Sequence, residues 1–288
     1  MGVDGKKDLV TLGLDSIPGL ANLLSRGTEQ YGFYEGAFRD YFSRSGFSSG
    51  ERTTFGPFGD LIFPFVEMGA VSSLDLFGLD ELILFSIYRV NRERYNRFAD
   101  LGANLGLHSL VAGKLGWRVT AFEPDPSTFA LLEKNLQQNS VKAHTVQRAV
   151  GAEAGNRVFT RVLGNLTGSH LSGSKAHPYG DLETFPVGVE AFTQIMVDHD
   201  FLKIDVEGAE AELICSTVAS DWLGTDAVLE IGSESNATAI FEHFQTLQGI
   251  SMFSQKQGWR HVRQVADLPF HHREGSVFIS AGRRGPFT

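Results

Sequence analysis

The sequence predicts an α/β fold, a mostly parallel sheet flanked by helices and preceded by an aromatic-rich segment. Three observations predict it. From Arg97 onward, short apolar runs alternate with helical patterns, the rhythm of repeated strand, turn and helix units. Glycines stand at Gly102 and Gly106, where the first of those strands ends. Between Tyr31 and Val90 lie ten of the 23 phenylalanines and four of the six tyrosines, so the aromatics concentrate ahead of the alternating region.

Taken in order, residues 1–50 carry a short helical pattern at Ile17, Leu20, Leu23 and Leu24, and the stretch from Ser45 to Gly50 reads as a loop. Residues 53–65 place Phe55, Phe58 and the run Leu61 to Phe65 among Gly and Pro breaks, which predicts a small hairpin. Apolar residues recur at helical intervals from Ser73 to Tyr88, with Asp80 and Glu81 near one candidate start. Strands are expected near 97–102, 118–122, 143–149, 200–205, 226–231, 250–255 and 275–281. Helices are expected over roughly 106–115, 127–138, 190–197, 208–218 and 236–248. The organisation is therefore a cap segment over 1–90 and a main domain over 91–288, with an insertion at 151–188. An insertion of that length usually serves function, and its Gly-, Ser- and His-rich part suits a mobile loop.

Composition narrows the partners. A formal net charge of −9 argues against a broad electrostatic grip on nucleic acid or anionic lipid, which leaves a small molecule or glycan as the expected substrate. The single cysteine, Cys215, has no partner for an intramolecular disulfide and suits a reducing cytoplasm. No run approaches the ~20 apolar residues that span a bilayer. The polar start is not followed by a signal-peptide core, and Lys6 stands where an N-myristoylation signal has Ser or Thr. Asn165-Leu166-Thr167 matches a glycosylation sequon, relevant only after secretion.

The strongest local signal runs from Asp100 through Gly102, Ala103 and Asn104 to Gly106, at a strand-to-helix turn. Glycine lets the backbone bend sharply there and approach a ligand. Glu123 follows at the end of the next strand, ahead of Pro124, where a carboxylate can take both hydroxyls of a ribose. A dinucleotide-binding turn would carry three glycines and no acid, since a pyrophosphate is repelled by Asp100; the cationic sulfonium and amino group of S-adenosylmethionine are not.

At these residues the chain resembles the FkbM-type family of S-adenosylmethionine-dependent methyltransferases. The resemblance rests on Asp100 to Ser109, on Ala121 to Asp125, and on Asp200 to Glu210, whose Lys203-Ile-Asp-Val-Glu-Gly208 is the most particular block. It implies a class I methyltransferase, a Rossmann-like sheet of seven strands with the last antiparallel, and O-methylation of a sugar, glycan or natural-product hydroxyl. On this reading Asp100 and Gly102 through Gly106 hold the methionine half of the cofactor, Glu123 and Pro124 the ribose, and Arg148, Ala149 and neighbouring Val150 the adenine.

In an extended 201–205 segment, Lys203 and Asp205 point to one face and can pair at the carboxyl end of the strand, the ligand-binding end of an open α/β sheet. Asp205 is therefore expected at the site. Glu207 either serves catalysis or stabilises a helix N-terminus; Lys203 either acts or braces Asp205. A hydroxyl acceptor benefits from a base, for which Asp205, Glu207 and His170 are candidates. Asp205, Glu207 and Glu230 offer an alternative set of oxygen ligands for a divalent cation. Two other functions remain open, a nicotinamide-dependent oxidoreductase and a binding module without turnover. The aromatic segment is expected to cap the transfer site or to form a homodimer interface.

Overall fold

A computed structural model describes residues 8–69, 71–165, 168–175 and 180–288. The Met1-Gly2 start, Lys6, and Leu166 and Thr167 of the sequon lie outside the described residues. Helices α1 (Leu9–Leu20) and α2 (Glu29–Ser43) begin where Asp8 and Thr28 accept backbone N–H bonds from Thr11 and Tyr31, the usual side-chain caps. Strands β1 (Arg52–Thr54) and β2 (Asp60–Ile62) pair antiparallel as the expected hairpin, and α3 (Leu79–Val90) leads into the sheet.

The α/β part follows as β3 (Arg97–Leu101), α4 (Leu107–Lys114), β4 (Arg118–Phe122), α5 (Pro126–Gln138) and β5 (Ala143–Val146). Next come β6 (Ala149–Gly151), β7 (Gly155–Val162), β8 (His170–Leu171), β9 (Leu182–Ala191), α6 (Phe192–Asp198), β10 (Phe201–Ile204) and α7 (Glu210–Cys215). The chain closes with β11 (Asp226–Glu230), α8 (Glu234–Thr246), β12 (Ile250–Ser254), β13 (Arg260–His261) and β14 (Ser276–Ala281).

Eight strands form the main sheet in the order β13-β12-β14-β11-β10-β3-β4-β5. From β5 through β11 neighbours are parallel, while β14 runs antiparallel to both β11 and β12. This is the class I methyltransferase layout, with its reversed last strand. The expected seven strands become eight because the two residues of β13 add an edge pairing to β12. Two further expectations are corrected. The strand expected over 143–149 stops at Val146, where Arg148 N–H turns back to the Val146 carbonyl, and Ala149 to Gly151 join another sheet. The insertion is a second sheet, β6-β9-β7-β8, in which the eight residues of β7 pair along β9. Two long strands satisfy each other's backbone groups, so much of the supposed loop is ordered.

Alternation along the strands splits the core between the two faces. Phe98, Phe201 and Phe278 enter one cluster with α1 to α5, while Ala99, Leu101, Leu202, Ile204, Val277 and Ile279 enter another with α6, α7 and α8. The aromatic segment belongs to the first cluster. Phe42, Phe47, Phe55 and Phe77 surround one another, with Phe47 stacked on Phe77 at 4.5 Å between ring centres. These rings are the packing of one sheet face, and residues 8–90 share a core with it.

Candidate active site

The site forms at the carboxyl edge of the parallel strands. Leu101 pairs with Phe122 and with Ile204, and Ile204 pairs with Leu229. One step further along each strand therefore sets Glu123, Gly102, Asp205 and Glu230 in a row, and Glu230 pairs with Ser276 of β14. A cleft opens over this row, lined by Gly102, Asn104, Glu123, Pro124, Asp125, Arg148, Ala149, Val150, Asp205 and Glu207, among others.

The loop after β3 is shaped by close backbone contact. Gly102 has φ +75°, and a Cβ built on it would lie 1.9 Å from the Asp205 carbonyl oxygen, so a side chain has no room. The N–H groups of Gly102 and Ala103 both bond the Phe122 carbonyl, at 3.0 and 2.9 Å. Asn104 follows with φ +50°; its N–H donates to Glu123 Oε2 at 3.0 Å, while its own buried Oδ1 has no hydrogen-bond partner among the described residues. Gly106, also expected to contact cofactor, instead packs at the start of α4, where Leu132 occupies the space a Cβ would need.

Glu123 is held from both sides, because Asp125 N–H donates to its Oε1 at 2.9 Å. Burial pushes this carboxyl up to about 7, against the pull of the two N–H donors. Asp125 in turn caps α5 through Ser127 and Thr128 and receives Arg161 Nε and Nη2 at 2.5 and 2.8 Å. Arg161 comes from β7, so the second sheet is fastened to the cleft wall. Sequence reasoning missed Arg161, which has no motif around it; only the pairing of β7 and β9 brings it near Asp125.

Asp100 is fully buried and does not line the cleft. It accepts Ser109 Oγ at 2.6 Å and lies 3.8 Å from Lys203 Nζ. Its expected contact with the methionine half is corrected to a supporting place behind the loop, because its strand position turns the side chain to the face covered by α4, where Ser109 meets it. Lys203 is also buried and bonds Gly102 O and Asp205 Oδ2, both at 3.0 Å. Burial works to lower its proton affinity, but Asp205 and Asp100 outweigh it and hold the ammonium above its ordinary range. Lys203 thus ties three adjacent elements of the edge together.

The loop after β10 turns at Glu207, φ +56°, and Gly208, φ +106°, where a Cβ would approach the Ser174 carbonyl at 2.7 Å. Glu207 accepts Lys175 Nζ at 2.6 Å. Burial first, then the charge of Asp205, raises Glu207 to about 7 in spite of that lysine. Glu210 braces the turn by accepting Gly208 N–H at 2.9 Å and Asn236 Nδ2 at 2.9 Å. Lys175 and Glu210 were not anticipated, the first because it arrives from the insertion, the second because it looked like an ordinary first-turn acid.

His170 is corrected as a candidate base. Ser169 and Leu171 line the cleft, whereas His170 between them is buried, with Nδ1 2.9 Å from the Gly168 carbonyl, as alternation along a strand dictates. Burial lowers its proton affinity. The cation alternative is corrected too: among the described residues no group of three or more His, Cys, Asp or Glu side chains is arranged to hold a metal ion. Asp205 and Glu207 each turn to a lysine of their own.

A family model described as the methyltransferase FkbM domain matches residues 100–247. No curated protein matches the chain. Solved structures similar to it include the ribosomal protein L11 methylase of Lactobacillus delbrueckii subsp. bulgaricus, at 13% identity over 69% of this chain and 78% of that one, with a TM-score of 0.37. The precorrin-6y C5,15-methyltransferase of Geobacter metallireducens is 14% identical over 68% of this chain and 85% of that one, with a TM-score of 0.34. Among the described residues no helix is long and apolar enough to cross a membrane.

Proposed function

The chain belongs to the FkbM family of S-adenosylmethionine-dependent methyltransferases, and on that premise we propose that it methylates a hydroxyl oxygen of a small molecule or glycan. The nicotinamide alternative falls with the family. The observation that carries the cofactor assignment is Glu123, a buried carboxylate fixed by two backbone N–H groups and facing the cleft beside the Gly102 bend. Each of its oxygens accepts one bond and has capacity for a second, which suits the two hydroxyls of a ribose. The unpartnered Oδ1 of Asn104 is a further acceptor waiting at the same wall.

When bound, S-adenosylmethionine supplies an electrophilic methyl group on a positively charged sulfur. The chain's residues favour that charge: Asp205 and Glu207 line the far end of the cleft, and their field attracts a cation where water is partly excluded. Arg148, Ala149 and Val150 form the wall past Glu123, a place for the flat adenine. Lys203 holds Asp205 and the Gly102 carbonyl in position, and Asp100 keeps Lys203 charged, so both are positioning residues. Alignment of the acceptor does most of the remaining work, since the transfer is an in-line displacement.

The test has two steps. Calorimetry should find binding of S-adenosylmethionine that Glu123→Ala and Asp205→Ala weaken strongly; unchanged affinity in both variants overturns the cofactor placement. Mass spectrometry of hydroxylated small molecules and glycans incubated with the protein and cofactor should find a gain of one CH2 on oxygen. A methyl group found on nitrogen or carbon overturns the O-methylation reading.

A further inference from the structure

The row across the carboxyl edge has one member left over. Glu123, Gly102 and Asp205 sit on neighbouring strand ends, about 4.8 Å apart per strand, and account for the ribose, the bend and the cationic end of the cofactor. Glu230 is the next position in the same row, one strand beyond Asp205 and just past the residues that line the cleft.

Its surroundings set it apart from the other two carboxylates of this end. Asp205 is paired with Lys203 at 3.0 Å and Glu207 with Lys175 at 2.6 Å. Each of these two carboxylates already has a cation for a partner. Glu230 has neither an ion pair nor a side-chain hydrogen bond to the described residues, although it stands partly buried at the end of β11. Its oxygens are not among the fully buried unpartnered atoms, so water reaches them, and an acceptor hydroxyl can take the place of that water.

We propose that Glu230 is the general base of the transfer, accepting the proton of the acceptor hydroxyl; this rests on the O-methylation reading above. The hydroxyl proton passes to a Glu230 oxygen as the hydroxyl oxygen bonds to the methyl carbon, and the electron pair of the broken carbon–sulfur bond stays on sulfur, which becomes neutral. The groups facing Glu230 are Asp205 and Glu207 on the loop after β10, Glu81 in the first turn of α3, and Lys203 within β10. Burial, then the charges of the three carboxylates, holds Glu230 well above the ordinary carboxylate range in the free protein. A cation arriving beside Asp205 reverses that balance and frees the carboxylate when it is needed. A neutral thioether in the same place does not.

The distinguishing measurement needs no acceptor. Calorimetry in buffers of different ionisation heat, repeated across pH, should show more protons released when S-adenosylmethionine binds than when S-adenosylhomocysteine binds, the share of the ribose acid Glu123 being common to both. Glu230→Gln should remove most of this difference while leaving the affinity for S-adenosylhomocysteine intact, and Glu207→Gln should remove the smaller share. With an acceptor found by the mass screen, Glu230→Gln should lower turnover about 10²- to 10⁴-fold and erase the acid limb of the pH profile. Proton release unchanged by Glu230→Gln overturns the role of Glu230 alone. A wild-type protein that binds neither compound overturns the cofactor reading and this inference with it.

Discussion

One face of the sheet and its carboxyl edge are built on opposite principles. On the face, Phe42, Phe47, Phe55 and Phe77 are buried against one another and carry no polar atom in their side chains. At the edge, a few ångströms of loop hold a buried lysine, several carboxylates with raised proton affinity, and two of the four non-glycine residues with left-handed backbone among the described residues, Asn104 and Glu207. Aromatic packing stabilises whatever ligand is present; a strained, charged edge costs stability until a ligand completes it. The face is therefore the reservoir that lets the edge stay unsatisfied.

Substitutions on either side should separate the two. The largest effect is expected from Gly102→Ala, where the added methyl meets a backbone carbonyl that cannot move without displacing β10. Loss of about 4 kcal/mol or more, or no folded protein at all, should be seen in denaturant unfolding. Phe77→Ala should cost about 3–5 kcal/mol yet leave the affinity of the folded protein for S-adenosylmethionine unchanged, since the ring is remote from the cleft lining. A loss of affinity there would mean that the face and the edge are coupled.

Glu123→Gln should do the reverse, costing about 1.5–3 kcal/mol of cofactor binding with little loss of stability. Its pH behaviour is the sharper check. With Glu123 and Glu207 both raised to about 7, the folded protein binds protons that the unfolded chain has released, so stability should fall as pH rises from the ordinary carboxylate value to about 7. Cofactor affinity should rise through the same window, because ribose hydroxyls donate best to the ionised carboxylate. Glu123→Gln should flatten the rise in affinity and reduce the fall in stability, followed by calorimetry and thermal melts. The smallest effect is expected from Lys175→Met, a partly exposed pair worth about 1 kcal/mol or less. Its trace should be a further upward shift of Glu207, read from the pH dependence of stability.

Much of this edge could be read in advance. Strand ends are where apolar runs stop, so Gly102, Glu123 and Asp205 announced themselves by following such runs, and the parallel register then had to align them. His170 and Asp100 were misplaced for a different reason. Which way a side chain faces depends on where its strand pairs, and β8 owes its existence to β7, not to its own two residues. Arg161 and Lys175 were invisible because an ion pair across 36 or 32 residues leaves no local pattern.

The sequence by itself determined the α/β architecture, the glycine bend, the strand-end position of Glu123 and the family, because all of these depend on short-range patterns. Tertiary structure alone decided that the aromatic segment is the packing of a sheet face, that the insertion is a second sheet, and that Glu230 stands without a partner among the described residues beside two lysine-held carboxylates. Those outcomes turn on which distant residues come within a few ångströms, and electrostatic balance at such distances is a property of the assembled edge, not of any segment within it.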